Sequence, residues 1–304
     1  MIPLITIEGP TASGKTALAI ELARELGSQI ISADSRQVYR HLDIGTAKPS
    51  EEELKAVPHH LIGIIDPDEG YNAGRFRADA GKMIQELHSQ GVVPIVCGGT
   101  GLYVSALLKG LFPQLEIPTA IRERLARRCA DEGLAVLYAE LRKIDPLFAA
   151  GISPNDKQRI QRGLEVYLAT GTPISEHWRN QAPKQEYGAF RILIDPPRED
   201  IYARINLRIR AMADRGWLDE IRRLLALGYD ATAPGLNSLG YKELLPHLLQ
   251  GRELDECLLL AAQHTRNYAK RQCTWYRKCK FDLTLRSNAC IISEVMGLIK
   301  AHIH

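Results

Sequence analysis

The chain has 304 residues, of which 45% are apolar and 25% charged, a composition that indicates a folded globular protein with room for two domains and excludes a disordered or fibrous one. It contains no uninterrupted apolar run of the roughly 18 residues that a membrane span needs and opens without the basic segment of a secretory leader, so we expect a cytoplasmic protein that makes no membrane contact. The formal net charge of +3 is too small to indicate a partner.

The N-terminal part of the sequence alternates between apolar strands and helical segments. Leu4–Ile7 is a short β-branched run, and after a glycine-rich loop a helical pattern follows at 15–26. Further strands are predicted at 29–34 and 92–97, with a helix at 73–89 between them. Because each strand is apolar throughout, the pattern predicts a parallel sheet covered by helices on both faces.

The loop between the first strand and the first helix matches the phosphate-binding pattern G-x-x-x-x-G-K-[ST]. In such a loop the backbone N–H groups and the positive end of the following helix hold a diphosphate, as in the binding of ATP. Lys15 adds a point charge, and the hydroxyl of Thr16 can ligate Mg²⁺. We predict an α/β, P-loop NTPase-like core whose diphosphate-binding residues are Gly9, Pro10, Thr11, Ala12, Ser13, Gly14, Lys15 and Thr16.

Two polar side chains follow the next strands, at the edge where an open parallel sheet forms its ligand crevice. The strand that ends at Cys97 is followed by glycines and Thr100, and it lacks the carboxylate with which an NTPase holds Mg²⁺. Asp34 ends the second strand, and its carboxylate can accept a proton from a bound nucleophile. Either residue could instead cap a helix or a turn.

Between Ile117 and Trp178 the sequence contains helical patterns and no convincing strand. The helices are predicted at 120–132, 135–143 and 155–170. A strand at 190–195 then restores the pattern of the sheet, and later helices are predicted at 198–227 and 254–278. We therefore predict a core domain of residues 1–112 and 189–304, interrupted by an all-helical insertion domain of residues 113–188.

The positive charge lies in the C-terminal third of the chain. Residues 189–304 contain 18 basic and 13 acidic residues, whereas the preceding part of the chain contains 21 and 23. The segment 265–280 contributes six basic residues and no acidic one, and at helical spacing Arg266, Lys270 and Arg277 share one face. Such a stripe is typical of a nucleic acid contact, although a packed helix with a solvated charged face is the alternative.

Neither the cysteines nor the histidines form a disulfide or metal pattern. The six cysteines are scattered without a Cys-x-x-Cys pair, so we expect reduced thiols. The adjacent pair His59-His60 could suggest a metal site, but adjacent side chains diverge and no ligand cluster accompanies them. We expect these histidines to have a structural or substrate-loop role.

Seven ordered segments that span nearly the whole chain carry a resemblance to a known family. They are GPTASGKT from Gly9, DSRQVY from Asp34, DIGTAKP from Asp43, HHL from His59, GGTGLY from Gly98, PND with a following Arg-Ile and Arg from Pro154, and TRNYAKRQ from Thr265 with Trp275. With these segments the chain resembles the bacterial tRNA dimethylallyltransferases of the tRNA isopentenyltransferase family.

The resemblance implies that the N6 amine of adenosine 37, beside the tRNA anticodon, attacks C1 of dimethylallyl diphosphate and expels diphosphate. The phosphate loop then holds a leaving group, and Lys15, Thr16 and Mg²⁺ stabilise the charge that grows on it. Asp34 takes the proton from N6 with the assistance of Thr100. The implied partners are dimethylallyl diphosphate and the anticodon stem-loop of tRNA, the implied cofactor is Mg²⁺, and we expect a monomer.

The residues expected to contact tRNA follow from the resemblance and from the basic segment. They are Asp34, Ser35, Arg36, Gln37 and Thr100 beside the target nucleotide, Arg122, Gln158, Arg159, Ile160, Gln161 and Arg162 in the insertion, and Gly240, Tyr241, Lys242, Arg266, Lys270 and Arg271 in the C-terminal third. Modification of N6 requires the base to leave its stack, which costs least in a strained loop such as the anticodon loop.

Three other functions stay open at this point. A nucleotide or small-molecule kinase of the same fold would need a lid of arginines, for which the chain offers Arg122, Arg124, Arg127 and Arg128. A closer relative of the family would prenylate free AMP and need no basic surface. A non-catalytic RNA-binding protein would keep the phosphate loop without chemistry, which an intact loop beside a strand-end carboxylate argues against.

Overall fold

The computed structural model of the chain describes residues 1–110, 115, 117–179, 186–287 and 292–303. Within these residues the strands are β1 (Ile2–Glu8), β2 (Ile30–Ser32), β3 (His59–His60), β4 (Ile95–Gly98), β5 (Tyr187–Ile194) and β6 (Leu283–Leu285). They form one sheet in the order β3-β2-β4-β1-β5-β6, and every pair of neighbours is parallel. The parallel sheet predicted from the apolar strands is confirmed.

Helices cover both faces of the sheet. Successive side chains of a strand point to opposite faces, so both faces carry apolar side chains that pack against helices. Leu4 of β1 packs in one apolar cluster with Phe76, whereas its neighbour Ile5 packs in another with Leu18. In chain order the helices are α1 (Lys15–Leu26), α2 (Glu51–Ala56), α3 (Ala73–Ser89), α4 (Gly101–Lys109), α5 (Thr119–Asp131), α6 (Leu134–Ile144), α7 (Pro146–Ala150), α8 (Lys157–Thr170), α9 (Ile174–Arg179), α10 (Arg198–Asp214), α11 (Trp217–Ala226), α12 (Tyr241–Gln250), α13 (Leu254–Tyr276) and α14 (Ile292–Ile303).

The chain divides into two compact units. The first, Met1–Lys109 with Gln185–His304, contains the sheet with α1 to α4 and α10 to α14. The second, Gly110–Lys184, contains α5 to α9 around an apolar core of its own. The sequence places the all-helical insertion at 113–188, and the first of these boundaries lies outside the described residues.

One predicted helix is two helices in the structure. The pattern at 198–227 predicts a continuous helix, but α10 ends at Asp214 and α11 begins at Trp217. Between them Gly216 has a φ of +93°, a left-handed conformation that favours glycine. The chain therefore turns at this point, and Trp217 enters the core with 1% of its surface exposed.

The sequence leads us to expect no membrane-spanning helix and no disulfide bond. Among the described residues, no helix is both long enough and apolar enough to cross a membrane. The described cysteines with free thiols are Cys97, Cys129, Cys257, Cys273 and Cys279. Cys290, the sixth, lies outside the described residues.

Candidate active site

The phosphate loop joins β1 to α1 at the centre of the sheet, where β4 and β5 flank β1. Its backbone turns sharply: Ala12 and Gly14 have φ values of +63° and +92°, and a Cβ on Gly9 would lie 2.6 Å from the carbonyl oxygen of Ile194. The helix α1 starts at Lys15 without a side-chain cap, so its first N–H groups are left for an anion. This is the backbone geometry that a diphosphate requires.

Two half-buried cations line the cavity beside this loop. Lys15 donates from Nζ to the carbonyl oxygen of Pro10 at 3.3 Å, and burial lowers the pKa of its amine. Arg208 of α10 donates from Nη2 to Oγ1 of Thr11 at 2.5 Å, its Nε has no hydrogen-bond partner, and burial lowers the pKa of its guanidinium.

The charge of Asp34, which lines the same cavity, acts on both cations from a distance and is in direct contact with neither. In the part of the chain that the structure describes, neither Lys15 nor Arg208 forms an ion pair with a carboxylate. Even partial removal of a charge from water is costly without a partner, so cations that line a cavity are ordinarily paired. The pair Lys15 and Arg208 therefore indicates that an anion binds between them.

Asp34 follows the end of β2 and lines the same cavity as Lys15. Its Oδ1 accepts the backbone N–H of Arg36 at 2.8 Å and that of Gln37 at 3.4 Å. From the end of β4, Oγ1 of Thr100 accepts the N–H of Ser35, the residue after Asp34, at 3.0 Å. The structure thus brings together the strand-end residues that the sequence singles out as candidates for the chemistry.

The cavity has two adjoining lobes with six lining residues in common. The shared residues are Thr11, Lys15, Asp34, Thr46, Ala47 and Arg208. The first lobe adds the polar side chains of Thr16, Ser32, Gln37 and His59 beside several apolar residues. The second lobe adds an apolar wall of Ile209, Met212, Trp217 and Leu239. This arrangement suits a ligand that is anionic at one end and apolar at the other.

Gln272 of α13 joins the phosphate loop to the end of β4. Its Oε1 accepts the N–H of Thr11 at 2.8 Å, and its Nε2 donates to the carbonyl oxygen of Gly99 at 2.7 Å. The sequence places Gln272 in a family segment without indicating a role, and it gives Arg208 none. No spacing signal could have found Arg208, because a helical pattern does not distinguish an arginine that lines a cavity from a solvated one.

Cys97 and the histidine pair lie near the cavity as neutral groups. Burial raises the pKa of the Cys97 thiol to about 12. Burial also lowers the pKa of both histidines, and Nδ1 of His59 is hydrogen-bonded to the carbonyl oxygen of Val57 at 2.8 Å, while Nε2 of His60 is bonded to Oε1 of Gln29 at 2.6 Å. Within the described ranges, no group of three His, Cys, Asp or Glu side chains could hold a metal ion.

The basic residues of α13 differ in exposure. Lys270 and Arg271 are exposed, and the guanidinium of Arg271 lies 5.6 Å from the ring centre of Tyr268. Arg266 is half-buried and donates to Oδ1 of Asn206 at 2.5 Å. The aromatic side of the helix faces inward, where Tyr268 lines the second lobe. Of the predicted basic stripe, Lys270 and Arg277 are exposed, with Arg277 just beyond the end of α13, and its contact with nucleic acid stays a prediction.

The other residues expected to contact tRNA differ in exposure. Arg36 is exposed, and Ser35, Gln37 and Thr100 are half-buried. In the second unit Arg122, Gln158 and Arg159 are exposed, Gln161 and Arg162 are half-buried, and Ile160 is fully buried. Lys242 is exposed, whereas Gly240 and Tyr241 are buried. The side chains of Ile160 and Tyr241 therefore contribute packing, and RNA contact in these segments rests on their exposed neighbours.

The arginines that could form a kinase lid are not all available. Arg128 forms ion pairs with Glu132 at 2.7 Å and with Glu140 at 2.8 Å. These two carboxylates raise the pKa of its guanidinium. The guanidinium of Arg128 is therefore held by ion pairs within the second unit.

A sequence model of the IPP transferase family matches residues 37–279. The chain belongs to this family. The tRNA dimethylallyltransferase of Syntrophobacter fumaroxidans is 48% identical over 278 residues, which cover 91% of this chain and 81% of the relative. That of a Roseiflexus species is 46% identical over 300 residues, which cover 98% of each.

Solved structures of family members share the fold. The tRNA isopentenylpyrophosphate transferase from Bacillus halodurans has a TM-score of 0.71 at 34% identity, over 100% of this chain and 98% of that one. A eukaryotic dimethylallyltransferase acting on tRNA has a TM-score of 0.80 at 29% identity, over 95% of this chain and 75% of that one. The predicted α/β, P-loop-like fold and the predicted enzyme family are both confirmed.

Proposed function

We propose that this member of the family transfers a dimethylallyl group from dimethylallyl diphosphate to N6 of adenosine 37 in tRNA and releases diphosphate. One observation carries the proposal: the half-buried cations Lys15 and Arg208 share a cavity with Asp34. An anion site thus lies beside a carboxylate that can act as a base. The names of the relatives that are 42–48% identical to the chain support the same donor and acceptor.

The reaction forms one bond while it breaks another. N6 attacks C1 of the prenyl donor, the bond between C1 and the diphosphate oxygen breaks, and the proton of N6 passes to Asp34. The amine becomes acidic only as its bond to carbon forms, so a carboxylate is a sufficient base. Lys15, Arg208 and the N–H groups of the loop stabilise the charge that accumulates on the diphosphate. The apolar wall of the second lobe suits the hydrocarbon tail.

Magnesium fits the donor groups at this site. Mg²⁺ usually keeps several waters and takes only one or two protein oxygens besides those of a phosphate ligand. The hydroxyl-bearing Thr16 lines the first lobe together with Lys15. Bound there, Mg²⁺ would neutralise part of the charge of the leaving group. The proposal therefore includes Mg²⁺ as the cofactor and Thr16 as its protein ligand.

The exposed basic and polar residues are proposed to bind the anticodon stem-loop. Phosphate contacts fix the register of a nucleic acid, and the pocket for the extruded base then selects the nucleotide. The candidates are Arg36 beside Asp34, Lys242, Lys270 and Arg271 in the first unit, and Arg122, Gln158 and Arg159 in the second. A groove beside α13 is lined by Lys270 together with three arginines, Arg198, Arg277 and Arg286, which are further candidates for phosphate contacts.

The direct test is incubation of the protein with unmodified tRNA, Mg²⁺ and dimethylallyl diphosphate labelled in the prenyl group. We expect label on adenosine 37 and release of one diphosphate for each group transferred. A tRNA that carries guanosine 37 is the matched control and should stay unlabelled. Absence of label on adenosine 37 overturns the proposal. Label on free AMP, or phosphate transfer from ATP without tRNA, would favour the alternative enzymes.

The proposal extends to the state of the protein in the cell. We propose a cytoplasmic monomer, because the proposed acceptor, tRNA, is present in that compartment and the residues of one chain supply both the cations Lys15 and Arg208 and the carboxylate Asp34. Sedimentation at micromolar concentration should give a single species with the mass of one chain. A larger species that dissociates on dilution would contradict this.

Charge reversal on α13 should weaken tRNA binding without affecting the diphosphate site. For Lys270→Glu combined with Arg271→Glu, we expect the KM for tRNA to rise and the slope of log affinity against log salt to fall by about 2, because two phosphates of the RNA are no longer neutralised by the protein. The control is Arg215→Glu with Arg223→Glu, which makes the same charge change at exposed positions outside the cavity. Equal tRNA affinity of the two double variants would show that α13 is not the RNA surface.

A further inference from the structure

A buried carboxylate on α11 holds a loop that follows β2. Glu220 is 3% exposed, and its Oε2 accepts the backbone N–H groups of Asp43 and Ile44 at 2.7 Å each. Its Oε1 accepts the N–H of Gly45 at 3.2 Å and the hydroxyl of Tyr241 at 2.6 Å. Three consecutive amides and a phenol thus satisfy one buried charge, which would otherwise be costly to desolvate.

The loop held by Glu220 is part of the cavity wall. Gly45, Thr46 and Ala47 line the second lobe, and the last two also line the first. Gln37 donates from Nε2 to the carbonyl oxygen of Ala47 at 3.0 Å. The backbone N–H of the same Gln37 donates to Oδ1 of Asp34 at 3.4 Å. The wall and the carboxylate proposed as the base are therefore linked through a single residue.

Trp217, three residues before Glu220, closes the wall from the other side. A Cβ on Gly45 would overlap Nε1 of its indole, and a Cβ on Gly240 would overlap its ring. The ring of Tyr241 meets the indole edge to face, with centroids 5.6 Å apart. Because interiors are close-packed, the loop has no free space into which it could shift on this side.

We propose that Glu220 is a positioning residue for the transfer reaction: it fixes the wall at Gly45–Ala47 at the distance from Asp34 that the reacting groups require. This inference rests on the proposed function. Bond formation needs reacting atoms about 3–3.5 Å apart and aligned, and a misplacement of about 1 Å can cost about 100-fold in rate. The hydrogen bonds of Glu220 are to the loop at Asp43–Gly45 and to Tyr241, so the phosphate loop keeps its own support.

The test is Glu220→Gln, which preserves the shape of the side chain but places an amide NH₂ against N–H groups that need an acceptor. We expect kcat for tRNA prenylation to fall about 10-fold to 100-fold, while the Kd of inorganic diphosphate stays within about twofold. Tyr241→Phe leaves Glu220 its three amide donors and should lower kcat less. A residue with a merely structural role would leave both constants of the folded protein unchanged.

The matched control is Asp145→Asn in the second unit. Asp145 is also a buried carboxylate, 2% exposed, and it accepts the backbone N–H groups of Phe148 at 3.0 Å and Ser175 at 2.9 Å. We expect both this replacement and Glu220→Gln to lower the unfolding temperature, but only Glu220→Gln to change kcat. Circular dichroism melting curves define a common assay temperature at which every variant is folded.

The outcomes separate the inference from the proposed function. A folded Glu220→Gln protein with the wild-type kcat overturns the inference, and so does a parallel loss of kcat and of diphosphate affinity. If Glu220→Gln does not fold, Gly45→Ala displaces the wall from the loop side with Glu220 intact, and it should show the same loss of kcat at unchanged diphosphate affinity. Wild-type protein that transfers no label overturns the proposed function instead.

Discussion

Replacement of Asp34 by asparagine is expected to lower the turnover of tRNA prenylation by roughly 10²-fold to 10⁴-fold, the range for loss of a general base. The amide oxygen can still accept the N–H of Arg36, which Asp34 now accepts at 2.8 Å, so the loop should keep its shape. What is lost is the group that accepts the proton of N6. Diphosphate affinity should be unchanged or slightly higher, because a negative charge leaves the cavity.

Single-turnover transfer of labelled prenyl groups measures the rate of this variant, and calorimetry with inorganic diphosphate measures its binding. Asp34→Ala should lose at least as much turnover, since it also removes the oxygen that accepts the backbone N–H of Arg36. The control is Asp219→Ala, which breaks an exposed pair with Arg222 and should leave turnover unaffected. Turnover of Asp34→Asn close to the wild-type value would mean that Asp34 is not the base.

Lys15→Ala is expected to weaken both diphosphate binding and turnover. Lys15 is a half-buried cation that lines both lobes of the cavity, and a hydrogen bond to a charged group contributes about 1.5–3 kcal/mol. Diphosphate affinity should therefore fall about 10-fold to 100-fold, with a larger loss of turnover because charge accumulates on the leaving group in the transition state.

Calorimetric titration with inorganic diphosphate in the presence of Mg²⁺ checks the loss of binding. Lys55→Ala is the control, because Lys55 lies exposed on α2 in a surface pair with Glu51. Unchanged diphosphate affinity of Lys15→Ala would contradict the assignment of the phosphate loop as the diphosphate site.

The lowered pKa of Lys15 predicts how its contribution depends on pH. Burial lowers this pKa in the free protein, so the amine loses its charge at a lower pH than an ordinary lysine. We expect the diphosphate affinity of the wild type, divided by that of Lys15→Arg, to decline as pH rises through this pKa, because arginine stays protonated. The ratio removes the titration of the ligand itself. A ratio that is flat at alkaline pH would show that the charge of Lys15 does not bind the ligand.

The phosphate loop could be predicted almost residue by residue because its interactions are local. The glycine pattern, the lysine and the start of α1 belong to one short stretch of chain, and the helix predicted at 15–26 is observed at Lys15–Leu26. The bounds of strands were less predictable. The strand predicted at 190–195 is Tyr187–Ile194, because its ends are set by pairing with β1, which lies far away in the sequence.

The sequence by itself determined the alternation of strands and helices, the diphosphate loop, and the polar residues at the strand ends. It also determined the family, since all seven motif segments are visible in the sequence. Only the tertiary structure decided which charged side chains turn inward. Arg208 and Glu220 lie in helices with solvated charges of the same kind. Arg208 bonds to Thr11, 197 residues away, and Glu220 bonds to backbone N–H groups at Asp43 to Gly45, which are 175 to 177 residues away. Burial of a charge depends on the atoms that surround it, and those atoms come together only when the helices pack on the sheet.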